Sequence, residues 1–245
     1  MWLILVFKFM KFSVIIPALN EEKIIGNCLT SLANQKKTPY EIIVVDNGCS
    51  DKTVRIASAF GAKVVQEKKK GISHARNKGA KTATGDILCF VDADGVVADD
   101  WLFEAYKEFR KKNIKAAVGL NVFTHKNVPK LLWYNTYTAT AYSSLMLLNF
   151  LTDRLFLAGN NFAIRREVFE KLGGFPPFVS EDYFLSEKFW KLPKHKGVFN
   201  PKMVIKYSSR GFDTAGYLRT ITCWMKSVKE RFPHEKYSFK SKIFL

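Results

Sequence analysis

Paired cysteines are missing from this chain. Its four cysteines, Cys28, Cys49, Cys89 and Cys223, form no C-x-x-C pair, so neither a zinc site nor a redox dithiol is indicated. Cys28 and Cys89 lie in apolar surroundings and read as small buried hydrophobes in a reducing compartment. A convincing membrane span is also lacking. The apolar run at 1–7 is too short to cross a bilayer, and no small-residue cleavage site follows it. Residues 1–11 therefore read as an N-terminal extension or a short apolar anchor. The uncharged stretch 131–152 is long enough, but eight of its 22 residues are Asn, Ser or Thr. That composition makes it a poor span and points to a buried or interfacial helical segment, of one helix or two. No internal repeat or low-complexity segment occurs.

Acidic residues are scarce: 22 Asp and Glu stand against 39 Lys and Arg, a formal charge of +17. Such a surface attracts polyanions, whether nucleotides, anionic lipid headgroups or nucleic acid, and charge alone does not choose among them. The lysine clusters at 36–37 and 111–112 read as solvated faces; only Lys68-Lys69-Lys70 falls beside a candidate site. With 47% hydrophobic and 25% charged residues over 245 positions, the chain can build one substantial core and is neither disordered nor fibrous.

From residue 12 onward, apolar runs of strand length alternate with helical periodicity, the pattern of a mostly parallel sheet covered by helices. Strands are expected at 12–17, 41–46, 62–65 and 86–91, later at 116–122 and around 161–164. Asn20, Ser50 and Ser73 are expected to cap the intervening helices, and Gly61 to end the second. Further helices are expected near 100–112, up to Leu172, and after Ser180. Near the end, Tyr217, Leu218, Ile221, Trp224, Met225 and Val228 recur at helical spacing with Arg219, Lys226, Lys229 and Arg231 between them. Residues 213–245 thus read as a basic amphipathic helix and tail, packed on the core or lying on a membrane surface.

The acidic and glycine-bearing loops follow strands, where open α/β sheets bind ligands. Asp92-Ala93-Asp94 puts two carboxylates close together after a buried strand, a costly pair without a cation and one suited to Mg²⁺ or Mn²⁺ bridging a diphosphate. Asp46-Asn47 can hydrogen-bond a base or ribose, and an Asx turn explains the pair equally well. Gly71, Ser73, His74, Arg76 and Asn77 bring donors to a helix start, which suits phosphate. In Glu181-Asp182, Asp182 is the candidate general base; an acidic first helical turn is the alternative.

Taken together, these residues resemble the family-2 glycosyltransferases. The resemblance rests on Val14-Ile15-Ile16-Pro17-Ala18-Leu19-Asn20-Glu21-Glu22, Val44-Val45-Asp46-Asn47-Gly48-Cys49-Ser50-Asp51, the stretch 71–77, Thr84-Gly85-Asp86, Asp92-Ala93-Asp94, Gly159-Asn160-Asn161-Phe162-Ala163-Ile164-Arg165-Arg166, Gly173-Gly174-Phe175 and Glu181-Asp182. Their order and spacing span residues 12–212. The resemblance implies the nucleotide-diphospho-sugar transferase fold called GT-A, and inverting transfer of a sugar to a hydroxyl by single displacement. It further implies that Pro17, Ala18, Asn20 and Glu21 line the nucleotide pocket, that Asp46 and Asn47 approach the base, and that Arg76 faces the donor. Asp92 would lie by the ribose and metal, Asp94 would coordinate the metal, and Asp182 would act as base.

Asp46-Asn47 departs from the Asp-Asp of many relatives, which leaves UDP, GDP and other donors open. No Q-x-x-R-W motif is present, so single-sugar transfer is expected rather than processive synthesis. Ser209-Arg210-Gly211-Phe212 resembles the end of some members, with Arg210 reaching diphosphate or acceptor. The acceptor is expected to be lipid-linked, a glycan or a small molecule, and the location cytoplasmic, with peripheral contact at the inner membrane face left open. Three alternatives remain. A sugar-phosphate nucleotidyltransferase would carry a glycine-rich basic loop where Pro17-Ala18-Leu19-Asn20-Glu21-Glu22 stands. A nucleic-acid-binding module lacks a recognition motif. A catalytically inactive nucleotide-sugar-binding protein would have no need of both Asp94 and Asp182.

Overall fold

A computed structural model describes residues 10–208 and, beyond them, Thr222, Lys226, residues 229–230 and two short strands, β9 (Tyr237–Ser238) and β10 (Ile243–Phe244). The N-terminal run 1–9, Arg210 and most of the expected amphipathic helix after 213 lie outside the described residues.

One sheet organises the described chain, in the order β3 (Lys63–Gln66), β2 (Glu41–Asp46), β1 (Phe12–Ala18), β4 (Ile87–Val91), β7 (Asn161–Arg165), β6 (Ala116–Thr124), β8 (Gly197–Ser208), β5 (Gly95–Val97). The four strands from β3 to β4 are parallel, as their continuous apolar runs require. Beyond β4 the sheet is mixed: β7 runs against both β4 and β6, and β5 runs against β8. β6 and β8 are again parallel, so four of the seven strand pairings are parallel, as the expected mostly parallel sheet requires.

Alternate residues of the central strands feed two cores, because successive side chains point to opposite faces. Val14, Ile16 and Ala18 pack with Cys28, Leu29 and Leu32 of α1 (Ile25–Ala33) and with Trp101 and Leu102 of α4 (Trp101–Phe109). Ile15, Ile43 and Val45 pack instead with Ala75 and Ala80 of α3 (Ile72–Thr82). Four phenylalanines extend this second core: Phe90 stacks on Phe162 at 4.8 Å, with Phe169 and Phe175 edge-on or tilted at 5.3 and 5.2 Å. Cys28 and Cys89 are fully buried, and burial pushes both thiols well above their ordinary range, as small hydrophobes should show.

The expected caps shift. Asn20 takes a left-handed φ of 57° and its Oδ1 accepts from the Ser50 N–H at 2.8 Å, so a turn on the Glu21 carbonyl comes first and α1 starts only at Ile25. Ser50 is spent on that bridge, and α2 (Thr53–Ala59) begins after Asp51, which accepts from the Thr53 N–H at 3.0 Å. Ser73 lies inside α3 and is buried, with Gly71 at the cap position. Gly61 does end α2, at φ 75°.

The stretch 131–152 forms part of a single helix, α5 (Val128–Thr152), capped by the Asn127 side chain and stopped by Asp153 in a left-handed conformation. It is not a buried helix: its outward face is exposed. Among the described residues, no helix is long and apolar enough to cross a membrane. The short β5, and β8 with its irregular register opposite Gly119 and Leu120, did not stand out in the sequence. Two remaining helices, α6 (Arg166–Lys171) and α7 (Glu181–Trp190), lie close to their expected places.

Candidate active site

The carboxyl ends of β1, β2 and β4 share one edge of the sheet, and β7 starts there because Asn161 pairs with Val91. Ala18, Asp46 and Asp92 therefore arrive together, at the position where open α/β sheets bind ligands.

Asp92 opens a tight turn from β4 to β5, closed by the Gly95 N–H on the Asp92 carbonyl at 2.9 Å. Ala93 turns into the core while Asp92 and Asp94 stay half-buried. Both carboxylates contribute to the upward push on the buried Cys28 thiol, after desolvation as the largest cause.

Arg76 ties this turn to the far side of the site. It lies on α3, is 2% exposed, and its guanidinium points at carboxylates. Nη2 donates to Asp92 Oδ1 at 2.8 Å and Nη1 to Glu181 Oε1, while Phe175 lies under the guanidinium at 5.4 Å. The buried inner face of α3 gives it two anions to neutralise, one of them Asp92, the residue expected beside the ribose and metal. Gly159 makes room for it, since a β-carbon there would come within 2.7 Å of Nη1.

Glu181 and Asp182 form the first turn of α7, where the helix N-terminus favours anions. Asp182 accepts from the Tyr183 N–H at 2.8 Å and the Gly159 N–H at 3.4 Å. Burial pushes the Glu181 and Asp182 carboxyls upward, while Arg76 pulls them back. One guanidinium serves three carboxylates, Asp92, Glu181 and Asp182, so the upward direction prevails for the pair on α7. Among the described residues, Ser73 Oγ and Arg76 Nε are buried without a hydrogen-bond partner, a departure from the usual pairing of buried polar groups.

On the β2 side, Asp46 Oδ1 accepts from the N–H groups of Cys49 and Gly48 at 2.7 and 2.9 Å, the Asx turn that was one of two readings. Burial pushes its carboxyl up, but these bonds and the charge of Lys70 outweigh it and hold it below the ordinary range. Asn47 turns inward: Nδ2 donates to the Glu67 and Lys69 carbonyls at 2.9 and 2.7 Å, and Oδ1 accepts from the Gly71 N–H at 2.9 Å. Its amide thus shapes the 67–71 loop. Asn47→Ala should strand these loop groups and lower stability by about 1–3 kcal/mol, read as a lower midpoint in thermal denaturation. An unchanged midpoint would mean that the loop does not depend on the amide.

Two site residues escaped the sequence reading. Glu181 was seen only as a neighbour of Asp182, and the Gly159 backbone N–H carried no sequence signal beyond its glycine. Asn161 within the Gly159-Asn160-Asn161 motif is structural: it accepts from Trp101 Nε1 at 2.9 Å and donates to the carbonyls of Leu120 and Met203, both at 3.1 Å. It thereby joins β6, β7 and β8 at the edge of the site.

The sequence profile described as "Glycosyl transferase family 2" matches residues 13–173, well over half of the chain and nearly all of the strands that end at the site. The chain belongs to glycosyltransferase family 2. Among curated relatives, glycosyltransferase AglE of Haloferax volcanii is 30% identical over 173 residues, covering 67% of this chain and 55% of AglE. The O-antigen chain rhamnosyltransferase RfbN of Salmonella typhimurium is 26% identical over 240 residues, covering 89% of this chain and 75% of RfbN. The family-2 chain thus spans only about half the length of AglE.

Solved structures agree on the fold. The glucosyl-3-phosphoglycerate synthase of Mycobacterium tuberculosis, in complex with Mn²⁺, UDP and phosphoglyceric acid, has a TM-score of 0.63 at 20% identity, covering 94% of this chain and 82% of that one. Mannosyltransferase PcManGT of Pyrobaculum calidifontis, in complex with GDP-Man and Mn²⁺, has a TM-score of 0.60 at 24% identity, covering 80% and 56%. The family-2 chain adopts the GT-A fold of nucleotide-sugar transferases.

Proposed function

We propose that this glycosyltransferase transfers one sugar from a nucleoside-diphosphate donor to a hydroxyl acceptor with inversion, dependent on a divalent cation. The observation that carries the reading is the Arg76 bridge, which sets the donor-side Asp92 and the α7 carboxylates on opposite arms of one guanidinium.

The donor set of the β4–β5 turn fits a hard cation, since both side chains offer carboxylate oxygen. Among the described residues, no group of three or more His, Cys, Asp or Glu side chains could hold an ion. A cation held by Asp92 and Asp94 would accordingly complete its shell from the ligand, the habit of Mg²⁺ and Mn²⁺ with substrate phosphates. When bound, it would offset charge on the leaving diphosphate. The Mn²⁺ and nucleotide ligands named for the fold neighbours support the same choice here.

In this scheme Pro17, Ala18, Asn20, Glu21, Asp46 and Gly71 border the nucleotide, with Asn47 acting through the loop it holds. Asp182 takes the proton of the acceptor hydroxyl as the new oxygen–carbon bond forms and the bond to the diphosphate breaks. Arg76 and the Gly159 N–H hold the acidic turn of α7 toward that event. The acceptor class left open by the sequence, lipid-linked, glycan or small molecule, stays open in this scheme.

The test is release of nucleoside diphosphate from a panel of UDP- and GDP-sugars with Mn²⁺, Mg²⁺ or EDTA, membrane extract serving as the acceptor source. Turnover with one donor, abolished by EDTA and by Asp94→Ala, is expected. Turnover indifferent to EDTA and to Asp94→Ala would overturn the cation-dependent scheme.

A further inference from the structure

α5 leaves the sheet and returns to it at the edge that carries the site. β6 runs against β7, so its end at Thr124 and the start of β7 at Asn161 both lie on the Asp92 side, and the return passes through Gly159, which touches Asp182.

The helix has one buried and one open face. Tyr134 and Thr138 pack inward, whereas Leu132, Trp133, Phe150 and Leu151 are 63, 61, 84 and 68% exposed, with Val128 and Leu147 beside them on the same outward stripe. Single exposed apolar residues are ordinary, but two groups on one stripe, Val128, Leu132 and Trp133 at one end and Met146, Leu147, Phe150 and Leu151 at the other, mark an interaction surface. No charged residue interrupts it between Lys130 and Asp153.

Two exposed hydroxyls on this helix are already satisfied. Thr140 Oγ1 donates to the Thr136 carbonyl at 2.9 Å and Ser144 Oγ to the Thr140 carbonyl at 3.0 Å, so the exposed middle of the stripe turns these donors onto its own backbone. That arrangement slightly weakens a helix in water and is what entry into an apolar medium demands. Charge selects the occupant. The sequence has no acidic residue between Glu108 and Asp153, while exposed Lys126 and Lys130 flank one end of α5 and Arg154 the other. With +17 on each chain, a second copy is repelled and an anionic surface attracted.

We infer that the outward face of α5 docks on an anionic lipid bilayer, Lys126, Lys130 and Arg154 meeting headgroups while Trp133, Leu147, Phe150 and Leu151 enter the interface. Docking brings the sheet edge, and with it Asp182 on α7 beside Gly159, to the membrane, which makes a lipid-borne hydroxyl the acceptor class. That consequence rests on the proposed transfer, whereas docking itself does not.

The experiment is flotation of the whole chain with phosphatidylcholine–phosphatidylglycerol vesicles against phosphatidylcholine vesicles, for wild type and Leu147→Glu/Phe150→Glu. It needs no donor, so it can fail or succeed independently of the enzymatic scheme. Wild type should float with anionic vesicles and less with neutral ones, and the double variant should bind about tenfold less or weaker still. Both positions are exposed, so the variant should keep the wild-type circular dichroism and melting. A wild type that ignores anionic vesicles overturns the inference, as does a folded variant that binds them like wild type. So does light scattering that reveals a dimer abolished by the substitutions, which would make a second copy the occupant.

Discussion

Replacing Arg76 with methionine should destabilise the protein by about 3–5 kcal/mol, because removing one partner of a buried ion pair leaves its anions uncompensated. Asp92 and Glu181 both lose their guanidinium partner in that variant, and Asp182 loses a nearby positive charge. For a chain of this size such a loss lowers the melting midpoint by on the order of 10 °C. Arg76→Lys should recover only part of it, since a point charge cannot span two carboxylates as a planar fork does. Adding Glu181→Gln to Arg76→Met should also restore part of the midpoint by removing one stranded anion. A midpoint unchanged in Arg76→Met would mean that the bridge does not hold the two sides of the site together.

Asp182→Asn should lower kcat by about 10²- to 10⁴-fold while leaving the KM for the donor near wild type, because an amide keeps the shape but cannot take the acceptor proton. The pH profile supplies an independent check. Burial, opposed by Arg76, raises the Asp182 carboxyl above its ordinary range. Since the ionised form is the active base, activity falls as pH drops through that raised value, so the acid limb should lie above the ordinary carboxylate range. The residual activity of Asp182→Asn should lack that limb. A variant with wild-type kcat and an unaltered acid limb would remove Asp182 from the reaction.

Much of the donor side was legible in the sequence, for a physical reason. Parallel strands buried on both faces must be apolar throughout, so Val14-Ile15-Ile16 and Ile42-Ile43-Val44-Val45 announce themselves, and the polar residues that follow them fall at the ligand edge. Helix starts were less legible because Asn20 and Ser50 bond each other across two loops, a long-range choice that local capping rules do not contain. Asn47 followed the same logic: its amide serves a loop some twenty residues away. Arg76 was recognised as a site residue but its partners were not, since spacing along α3 does not reveal that Asp92 and Glu181 converge on it from β4 and α7. In α5, the Ser and Thr content that argued against a membrane span concealed hydroxyls folded back onto their own helix. β5 and β8 were missed because one is three residues long and the other carries Asn200-Pro201-Lys202 within its run.

The central claim is that the Asp92–Asp94 turn serves the donor and Asp182 the acceptor, and calorimetric titration of UDP and GDP with Mn²⁺ tests it most directly, using wild type, Asp94→Ala and Asp182→Asn. The account predicts that Asp182→Asn binds one nucleotide as wild type does, while Asp94→Ala loses the Mn²⁺-dependent part of the affinity. Equal loss in both variants, or full Mn²⁺-dependent binding retained in Asp94→Ala, would contradict that division.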